Sequence, residues 1–229
     1  MKNQIVLYHG SDKVVAHPKL GKGKIRNDYG QGFYCTAHFE LACEWASKNE
    51  LINGYANEYI LDIDGLNVLD LSSSKYNILH WITLLIQNRT VTSTSTISKQ
   101  AKKYLVDNFS IDTTGYDIIK GYRADDSYFS FARDFVNNTI SVQQLAKAMK
   151  LGKLGIQYML RTEKAFERLS FVKAHEVDAT VYHAKYTQRD IKAKNAYQNS
   201  KENLAIDPNE LYVLDIIRGG IKDGDPRLQ

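Results

Sequence analysis

Hydrophobic residues recur along the chain at two spacings, which predict strands and helices in mixed order. Alternating or short continuous apolar runs are typical of strands, and apolar residues three and four positions apart are typical of one face of a helix. The predicted strands are 4–10, 33–36, 116–122, 156–160, 168–173 and 178–184. The predicted helices are one that Thr36 caps and that ends near Lys48, followed by 75–88, 97–109, 129–137 and 141–151.

Turn and cap residues sharpen some of these boundaries. Asp64-Gly65 stands between apolar runs within 58–71, and Asp-Gly in that setting is a strong signal for a β-hairpin. Ser141 followed by Gln144 has the spacing of a capping box at the start of a helix. The Ser/Thr-rich residues 90–96 lack the hydrophobicity of a packed element and predict a loop.

The order of these elements indicates the fold class. Strands do not alternate regularly with helices, which favours an α+β fold, built on a split antiparallel sheet with inserted helices, over a doubly wound parallel sheet. We predict a main domain at 1–184 and a basic, polar C-terminal extension at 185–229 packed on it. Within the extension, 185–205 is predicted as a helix or a loosely held arm and 211–217 as a last strand or helix.

Composition narrows the class of protein. A hydrophobic fraction of 43% is enough for a packed core, and no apolar run reaches the roughly 20 residues of a membrane helix. The first residues lead into a strand without the apolar segment of a signal peptide, so we expect a cytoplasmic protein with no membrane partner. Cys35 and Cys43 have no accompanying Cys/His cluster, so we interpret both as packing residues and expect no metal site.

Three separated segments carry the most informative polar chemistry: 7–11 (Leu-Tyr-His-Gly-Ser), 30–36 (Gly-Gln-Gly-Phe-Tyr-Cys-Thr) and 156–160 (Ile-Gln-Tyr-Met-Leu). By itself each has a structural explanation. A histidine at a strand end is more often a structural hydrogen-bonding residue, and paired glycines before an aromatic pair suit a turn that leads into an edge strand. A dinucleotide-binding fingerprint is excluded, because the glycines precede a strand instead of joining a strand to a helix.

Taken together, the segments resemble the ADP-ribosyltransferases, in particular the branch related to the poly-ADP-ribose polymerases, whose site carries histidine, tyrosine and a third polar residue. The likeness includes Asp-Tyr-Gly at 28–30 and the helix with Trp45. The chain is also similar to a bacterial family described only as a domain of unknown function within that superfamily, and this similarity continues through 122–129 to the strand at 156–160. The resemblance implies an ADP-ribosyltransferase-like split sheet and NAD as a substrate.

The resemblance also implies roles for individual residues. His9 would hydrogen-bond the adenine-side ribose of NAD, and the backbone of Gly10 would hold the nicotinamide carboxamide. Tyr34 would stack on the nicotinamide ring, a contact that suits a flat cationic ring. Ser11 would support the adenosine side, and Gly32 belongs to the same NAD-binding set. Holding NAD in an oriented conformation supplies much of what cleavage of its glycosidic bond requires.

The third position of the set has three candidates. Gln157 is favoured by its order along the chain, Glu58 by its local likeness to the glutamate-bearing strand of the poly-ADP-ribose polymerases, and Glu163 by its place just beyond Gln157. A glutamine can hydrogen-bond a ribose hydroxyl but cannot take a proton at neutral pH. We therefore expect an acceptor that is nucleophilic without a general base: a carboxylate, a thiolate, a nucleobase nitrogen or a nucleic-acid phosphate.

An acidic pair follows the strand at 116–122. Asp125 and Asp126 stand next to Arg123 among aromatic residues, and their structural explanation is a turn with a helix cap. The functional alternative is an acceptor-side base that replaces the missing glutamate, since two adjacent carboxylates can raise one pKa. The sequence is consistent with both interpretations, and Arg123 is a further acceptor-side candidate.

The predicted function is that of an NAD-dependent mono-ADP-ribosyltransferase that modifies a macromolecular acceptor, protein or nucleic acid. By family analogy alone, the setting would be a bacterial intracellular toxin or conflict-system effector, with a cognate inhibitor protein as a further partner. One alternative is an ADP-ribosyl or phosphate transferase directed at nucleic acid, for which Arg123 and Arg161 are the suggestive cations. The other is a non-catalytic module that binds NAD or a partner protein, which Gln157 would favour.

Overall fold

The computed structural model describes residues 3–90, 95–124, 126–149, 155–202, 207 and 209–228, with the side chains of 126–128 and 200–202 excepted. These residues form a mixed α and β structure, consistent with the predicted α+β class. No helix among them combines the length and the apolar character that crossing a membrane requires.

One seven-stranded sheet organises the described chain. Its spatial order is β4-β5-β6-β2-β1-β3-β7, and every neighbouring pair is antiparallel except β4 and β5. The strands are β1 (Gln4–Ser11), β2 (Phe33–Thr36), β3 (Gly54–Asp62), β4 (Val68–Asp70), β5 (Ile118–Tyr122), β6 (Ile156–Leu160) and β7 (Leu169–Val177).

Eight α-helices are described between and after the strands. They are α1 (Phe39–Ala46), α2 (Ile78–Asn88), α3 (Thr96–Phe109), α4 (Asp126–Val136), α5 (Val142–Ala148), α6 (Glu163–Glu167), α7 (Ala179–Glu202) and α8 (Val213–Arg218), and a short 3-10 helix follows at Pro226–Leu228. The predicted capping box is confirmed, because the hydroxyl of Ser141 accepts from the Gln144 N–H while the Gln144 side chain accepts from the Ser141 N–H.

The core is divided into one large and two small clusters. The large cluster joins helices α2 to α5 and α8 to one part of the sheet, around the fully buried Trp81, Phe131 and Phe135. A second cluster includes Leu7, Leu160 and Cys35, and a third lies under α1 and includes Cys43. Both cysteines are buried and free of disulfides, which agrees with their interpretation as packing residues.

The predicted hairpin at Asp64-Gly65 is wrong. A turn is present, and Gly65 has a φ of +73°, a conformation that glycine adopts without penalty. The chain then crosses the sheet instead of folding back, so that β4 pairs in parallel with β5 at the far edge. The reason is that β3 already has β1 on one side and β7 on the other, which leaves it no free edge.

The strand predicted at 178–184 is also wrong, since these residues belong to α7. The carboxylate of Asp178 accepts hydrogen bonds from the backbone N–H groups of Thr180 and Val181, which satisfies donors at the start of the helix. The preceding strand is correspondingly longer than predicted and ends at Val177. The residues predicted as a helix or a loose arm at 185–205 are helical as far as Glu202.

Thr36 does not cap the first helix, as its spacing had predicted. It is the buried last residue of β2, and its hydroxyl accepts a hydrogen bond from the N–H of His38, the residue directly before α1. Thr36 lies in register with Tyr8 on one side and Gln157 on the other. Thr36 therefore lies in the interior of the sheet, next to the predicted site residue Gln157.

The C-terminal part of the chain packs on the rest. Helix α7 adds Ala193 and Tyr197 to the large core cluster, and α8 adds Val213 and Ile216. The predicted boundary between residues 184 and 185 falls inside α7. The Ser/Thr-rich loop predicted at 90–96 lies largely outside the described residues.

Candidate functional site

A cleft of about 610 Å³ opens where β1, β2 and β6 lie side by side. His9, Tyr34 and Gln157, which come from these three strands, all line it. Gly10, Gly32 and Arg123 line it as well, so most of the predicted site residues meet in one place. Its wall also contains Trp45 of α1 and Tyr186 of α7, for which the sequence predicted no site role.

His9 presents one ring nitrogen to the cleft as an acceptor. Its Nδ1 lies 2.7 Å from the backbone carbonyl oxygen of Tyr34. A carbonyl oxygen only accepts, so Nδ1 carries the proton and Nε2 keeps its lone pair. Burial lowers the pKa of His9 below its usual value, which keeps the imidazole neutral at pH 7. A neutral Nε2 suits a hydrogen bond from a hydroxyl group.

Tyr34 is anchored through its hydroxyl group, which leaves its ring for a ligand. The hydroxyl donates to the carbonyl of Gly30 at 2.7 Å and accepts from the N–H of Tyr29 at 3.0 Å. Burial raises the pKa of Tyr34, so the phenol does not ionise at physiological pH. The hydroxyl therefore fixes the glycine turn, and the ring is the part that remains to contact a bound molecule.

The glycines of the site are explained by close backbone approach. A Cβ at Gly10 would meet the Ala42 carbonyl oxygen at 2.0 Å, and one at Gly32 would meet the Met159 Sδ at 2.2 Å. Gly30 adopts a φ of +88°. Gly10 thus lets α1 pack directly on β1, and Gly32 lets the start of β2 pack on β6.

The hydroxyl group of Ser11 makes its hydrogen bonds outside the cleft. Its hydroxyl donates to the carbonyl oxygen of Lys13 and accepts from Asn57 Nδ2, and it is not among the residues that line the cleft. Asn57 is fully buried and also accepts from the N–H of Val15 at 2.8 Å. Ser11 and Asn57 therefore fix the first residues of the segment that follows β1.

Gln157 is held by a buried carboxylate. The side chain is 3% exposed, and its Nε2 donates to Asp28 Oδ2 at 2.9 Å and to the Tyr122 carbonyl oxygen at 3.3 Å. Asp28 is 2% exposed and accepts from Arg89 Nη1 and from the Ala124 N–H, each at 2.9 Å. A buried charge is tolerated when it is paired and hydrogen-bonded in this way.

Asp28 is a site residue that the sequence interpretation missed. It lines the cleft and is the only carboxylate among the described lining residues. The available signal was its place directly before Tyr29 and Gly30, in the segment that carries the resemblance. Its partners Arg89 and Ala124 are 61 and 96 residues away, and no local pattern connects them.

The other acidic candidates lie elsewhere. Glu58 contacts His175 Nε2 at 2.6 Å on the β3–β7 side of the sheet, and Glu163 is exposed at the start of α6. Neither lines the cleft. Asp125 lies outside the described residues, and Asp126 begins α4 with its side chain outside them.

The two predicted acceptor-side arginines have different surroundings. The guanidinium carbon of Arg123 lies 4.2 Å from the centre of the Trp45 ring, and both side chains line the cleft. Arg161 donates to the Thr113 carbonyl oxygen at 2.7 Å and is not a lining residue. Only Arg123 is therefore in place to meet a molecule in the cleft.

Basic side chains form a large part of the cleft lining, and the solvent-exposed ones among them make up its basic rim. The described lining residues include eight basic residues, of which five belong to the segment 13–27, which we call the basic segment. The side chain of Gln31 holds this segment by donating to the carbonyl oxygens of Gly21 and Gly23. The eight are Lys13, Lys19, Lys22, Lys24, Arg26, Lys48, Arg89 and Arg123.

The described residues contain no group of three or more His, Cys, Asp or Glu side chains arranged to hold a metal ion. The cleft itself offers an acceptor imidazole, an anchored tyrosine ring, a buried amide–carboxylate pair and a basic rim. This combination suits a flat, anionic ligand that carries hydroxyl groups.

Comparisons with known proteins identify the family. The comparison with curated proteins and the comparison with solved structures returned no match. The comparison with protein families matched residues 5–171 to a family described as a protein of unknown function, DUF3990. This match includes β1, β2 and β6 and with them His9, Tyr34, Asp28 and Gln157. Since it spans well over half of the sequence, the chain belongs to the DUF3990 family.

Proposed function

We propose that the protein is an NAD-dependent ADP-ribosyltransferase that cleaves the bond between nicotinamide and ribose and transfers ADP-ribose to a macromolecular acceptor. The observation that carries this proposal is the meeting of His9, Tyr34 and Gln157, from three neighbouring strands, in one cleft. The resemblance seen in the sequence involves the same three residues. By the same reasoning, we infer that the mixed sheet has an ADP-ribosyltransferase-like topology.

The cleft offers partners for a ribose, the nicotinamide and the pyrophosphate of NAD. The Nε2 of His9 is available to accept from a ribose hydroxyl, and the anchored Tyr34 ring offers an aromatic surface to the cationic nicotinamide. The rim cations suit the pyrophosphate, whose two negative charges they attract across a partly enclosed space. Binding of this kind holds the glycosidic bond in a fixed orientation, which lowers the entropic cost of reaction.

The transfer step makes and breaks one bond at the anomeric carbon. A nucleophile forms a bond to this carbon, and the carbon–nitrogen bond to nicotinamide breaks, with its electron pair returning to the ring so that neutral nicotinamide leaves. Gln157 does not accept a proton at neutral pH. The acceptor is therefore expected to be a group already ionised or otherwise nucleophilic under the reaction conditions.

Transfer to nucleic acid is the second candidate function, and the charge distribution favours it. The basic segment contains five basic and no acidic residues, so the rest of the chain has 25 basic and 26 acidic residues. The whole positive net charge of the protein is thus concentrated beside the cleft. One NAD molecule does not require so many cations, whereas a phosphodiester backbone does.

The proposed function is tested with purified protein and NAD labelled in the adenine moiety. We expect release of nicotinamide, with transfer of label to the protein or the nucleic-acid fraction of a cell extract, and loss of both in His9→Ala and Gln157→Ala. Glu58→Ala is the matched control, because Glu58 is a candidate for the third site position by sequence but does not line the cleft. Binding of NAD without release of nicotinamide would identify a non-catalytic module instead.

A further inference from the structure

The amide group of Gln157 has a defined orientation. Its nitrogen faces a carboxylate oxygen of Asp28 and the carbonyl oxygen of Tyr122, which both only accept hydrogen bonds. The NH2 end must therefore be the end directed at them. Both of these hydrogen bonds are made through Nε2, and Gln157 lines the cleft. Oε1 is thus the atom that this side chain offers to a ligand.

Asp28 is itself held in place from two sides. Arg89 donates to Oδ1, and the Ala124 N–H donates to Oδ2, while Arg89 also donates to the Ala124 carbonyl oxygen at 2.8 Å. The carboxylate is 2% exposed, so solvent does not compete for it. Its orientation is fixed by an arginine from the end of α2 and by backbone after β5.

We propose that Asp28 is a positioning residue that orients Gln157 as a pure hydrogen-bond acceptor toward the ribose of the bound substrate. This inference deepens the proposed function and rests on it. A glutamine without such a partner presents either end of its amide, and the NH2 end cannot accept the hydrogen of a hydroxyl. The Asp28 carboxylate fixes the amide with Oε1 toward the ligand. Through the N–H···O⁻ contact it also increases the negative partial charge on Oε1.

The pairing also explains why a glutamate does not fit this position in the present chain. Gln157→Glu would replace Nε2, which lies 2.9 Å from Asp28 Oδ2, with a second carboxylate oxygen. Two carboxylates at this separation in a buried site do not both ionise. Asp28→Asn in the same chain would restore an amide–carboxylate pair with the polarity reversed. The structure therefore predicts that the two positions depend on each other.

The experiment compares Asp28→Asn, Gln157→Glu and the double variant D28N/Q157E with the wild-type protein. We expect Asp28→Asn to lower kcat for nicotinamide release about tenfold to a hundredfold, the scale of one charge-assisted hydrogen bond, with little change in KM for NAD. We expect the double variant to be more active and more stable than Gln157→Glu. Asp70→Asn is the control, because Asp70 also pairs with a cation but lies at the sheet edge away from the cleft.

A second measurement does not depend on turnover. The side-chain amide protons of Gln157 should exchange slowly in an ¹⁵N-labelled wild-type sample, and this protection should be lost in Asp28→Asn and kept in Asp70→Asn. Unchanged kcat in Asp28→Asn, or a double variant no better than Gln157→Glu, would overturn the positioning role while leaving the proposed function intact. A wild-type protein that protects the amide but releases no nicotinamide would overturn the proposed function and, with it, the role of Asp28 in turnover.

Discussion

At the scale of single residues, Asn57 links the central sheet to the segment that bounds the cleft. Its Oδ1 accepts from the Val15 N–H at 2.8 Å, and its Nδ2 lies within 3.2 to 3.4 Å of four oxygen atoms. The side chain is fully buried, so water cannot take over these contacts. Asn57 therefore sets where the basic segment begins.

We expect Asn57→Ala to lower the free energy of unfolding by about 1–3 kcal/mol, because it leaves buried donors and acceptors without a partner. The same variant should weaken the binding of NAD, since the basic segment loses its anchor at Val15. Urea denaturation and calorimetric titration with NAD measure the two effects. Asn209→Ala, at an exposed position, is the control, and equal stability of the two variants would contradict the anchoring role.

A pH dependence follows from the neutral state of His9. Burial lowers its pKa in the folded protein, whereas the unfolded chain titrates near pH 6.5. As the pH falls below about 6.5 the unfolded state takes up a proton that the folded state does not, so stability declines until the folded pKa is passed. We expect the stability of the wild type relative to His9→Asn to fall between pH 7 and pH 5. Parallel urea titrations measure this difference, and a difference that stays constant with pH would contradict it; His17→Asn, at an exposed position, is the control.

How far the sequence predicts the site depends on how far apart along the chain the contacting residues are. His9 stands beside a glycine, and Tyr34 and Gln157 are each the second residue of a strand, so local pattern and resemblance identify them as candidates. The structure brings the three together. Asp28 was missed because what makes it important is its contact with Gln157, 129 residues away, and a lone aspartate in a glycine-rich segment carries no such signal.

At the scale of elements, the local spacing of apolar residues predicts which strands and helices form better than it predicts which strands pair. Strands β1, β2 and β6 were predicted nearly to the residue, because each is a short apolar run that ends at glycine or a polar residue. The hairpin was wrong because a turn signal does not reveal that β7, a later strand, takes the free edge of β3. The strand at 178–184 was wrong because its apolar residues suit a strand as well as the first turns of α7.

Helices α1 and α7 are joined by two ion pairs that differ in burial. Glu44 and Arg189 have side chains 7% and 17% exposed, whereas Glu40 and Lys185 are 60% and 48% exposed. Removing one partner of a buried pair leaves an uncompensated charge, and an exposed pair contributes little. The contact matters for the cleft, because α1 supplies Trp45 and α7 supplies Tyr186 to its wall.

We therefore expect Arg189→Ala to destabilise the protein by about 3–5 kcal/mol and Lys185→Ala by about 1 kcal/mol or less. In the double variant E44Q/R189M the buried charge is absent, and most of the lost stability should return. Thermal and urea denaturation of the wild type, the two single variants and the double variant measures these differences in stability. Equal losses for Arg189→Ala and Lys185→Ala would show that the buried pair is not what holds the two helices together.

At the scale of the whole molecule, the distribution of charge is uneven. Several cations outside the cleft pair with acids, as Lys120 does with Asp70 and Arg168 with Asp62. In the basic segment, no carboxylate of the described residues lies within ion-pair distance of Lys13, Lys19, Lys22 or Lys24. These uncompensated charges create a positive field at the one rim where the proposed substrate enters.

This field predicts salt-dependent binding of single-stranded nucleic acid next to the cleft. We expect a fluorescent 20-nucleotide RNA to bind the wild type, and the triple variant K19A/K22A/K24A to bind more weakly, with a salt slope smaller by about 2, since each phosphate contact contributes about 0.7 on a single strand. The matched control K99A/K173A/K222A removes the same charge from exposed positions outside the cleft. If both triple variants lose affinity equally, binding follows net charge alone and the basic segment has no special role. If only K19A/K22A/K24A loses affinity, and it also loses transfer of ADP-ribose to RNA while still releasing nicotinamide, the segment holds the acceptor rather than NAD.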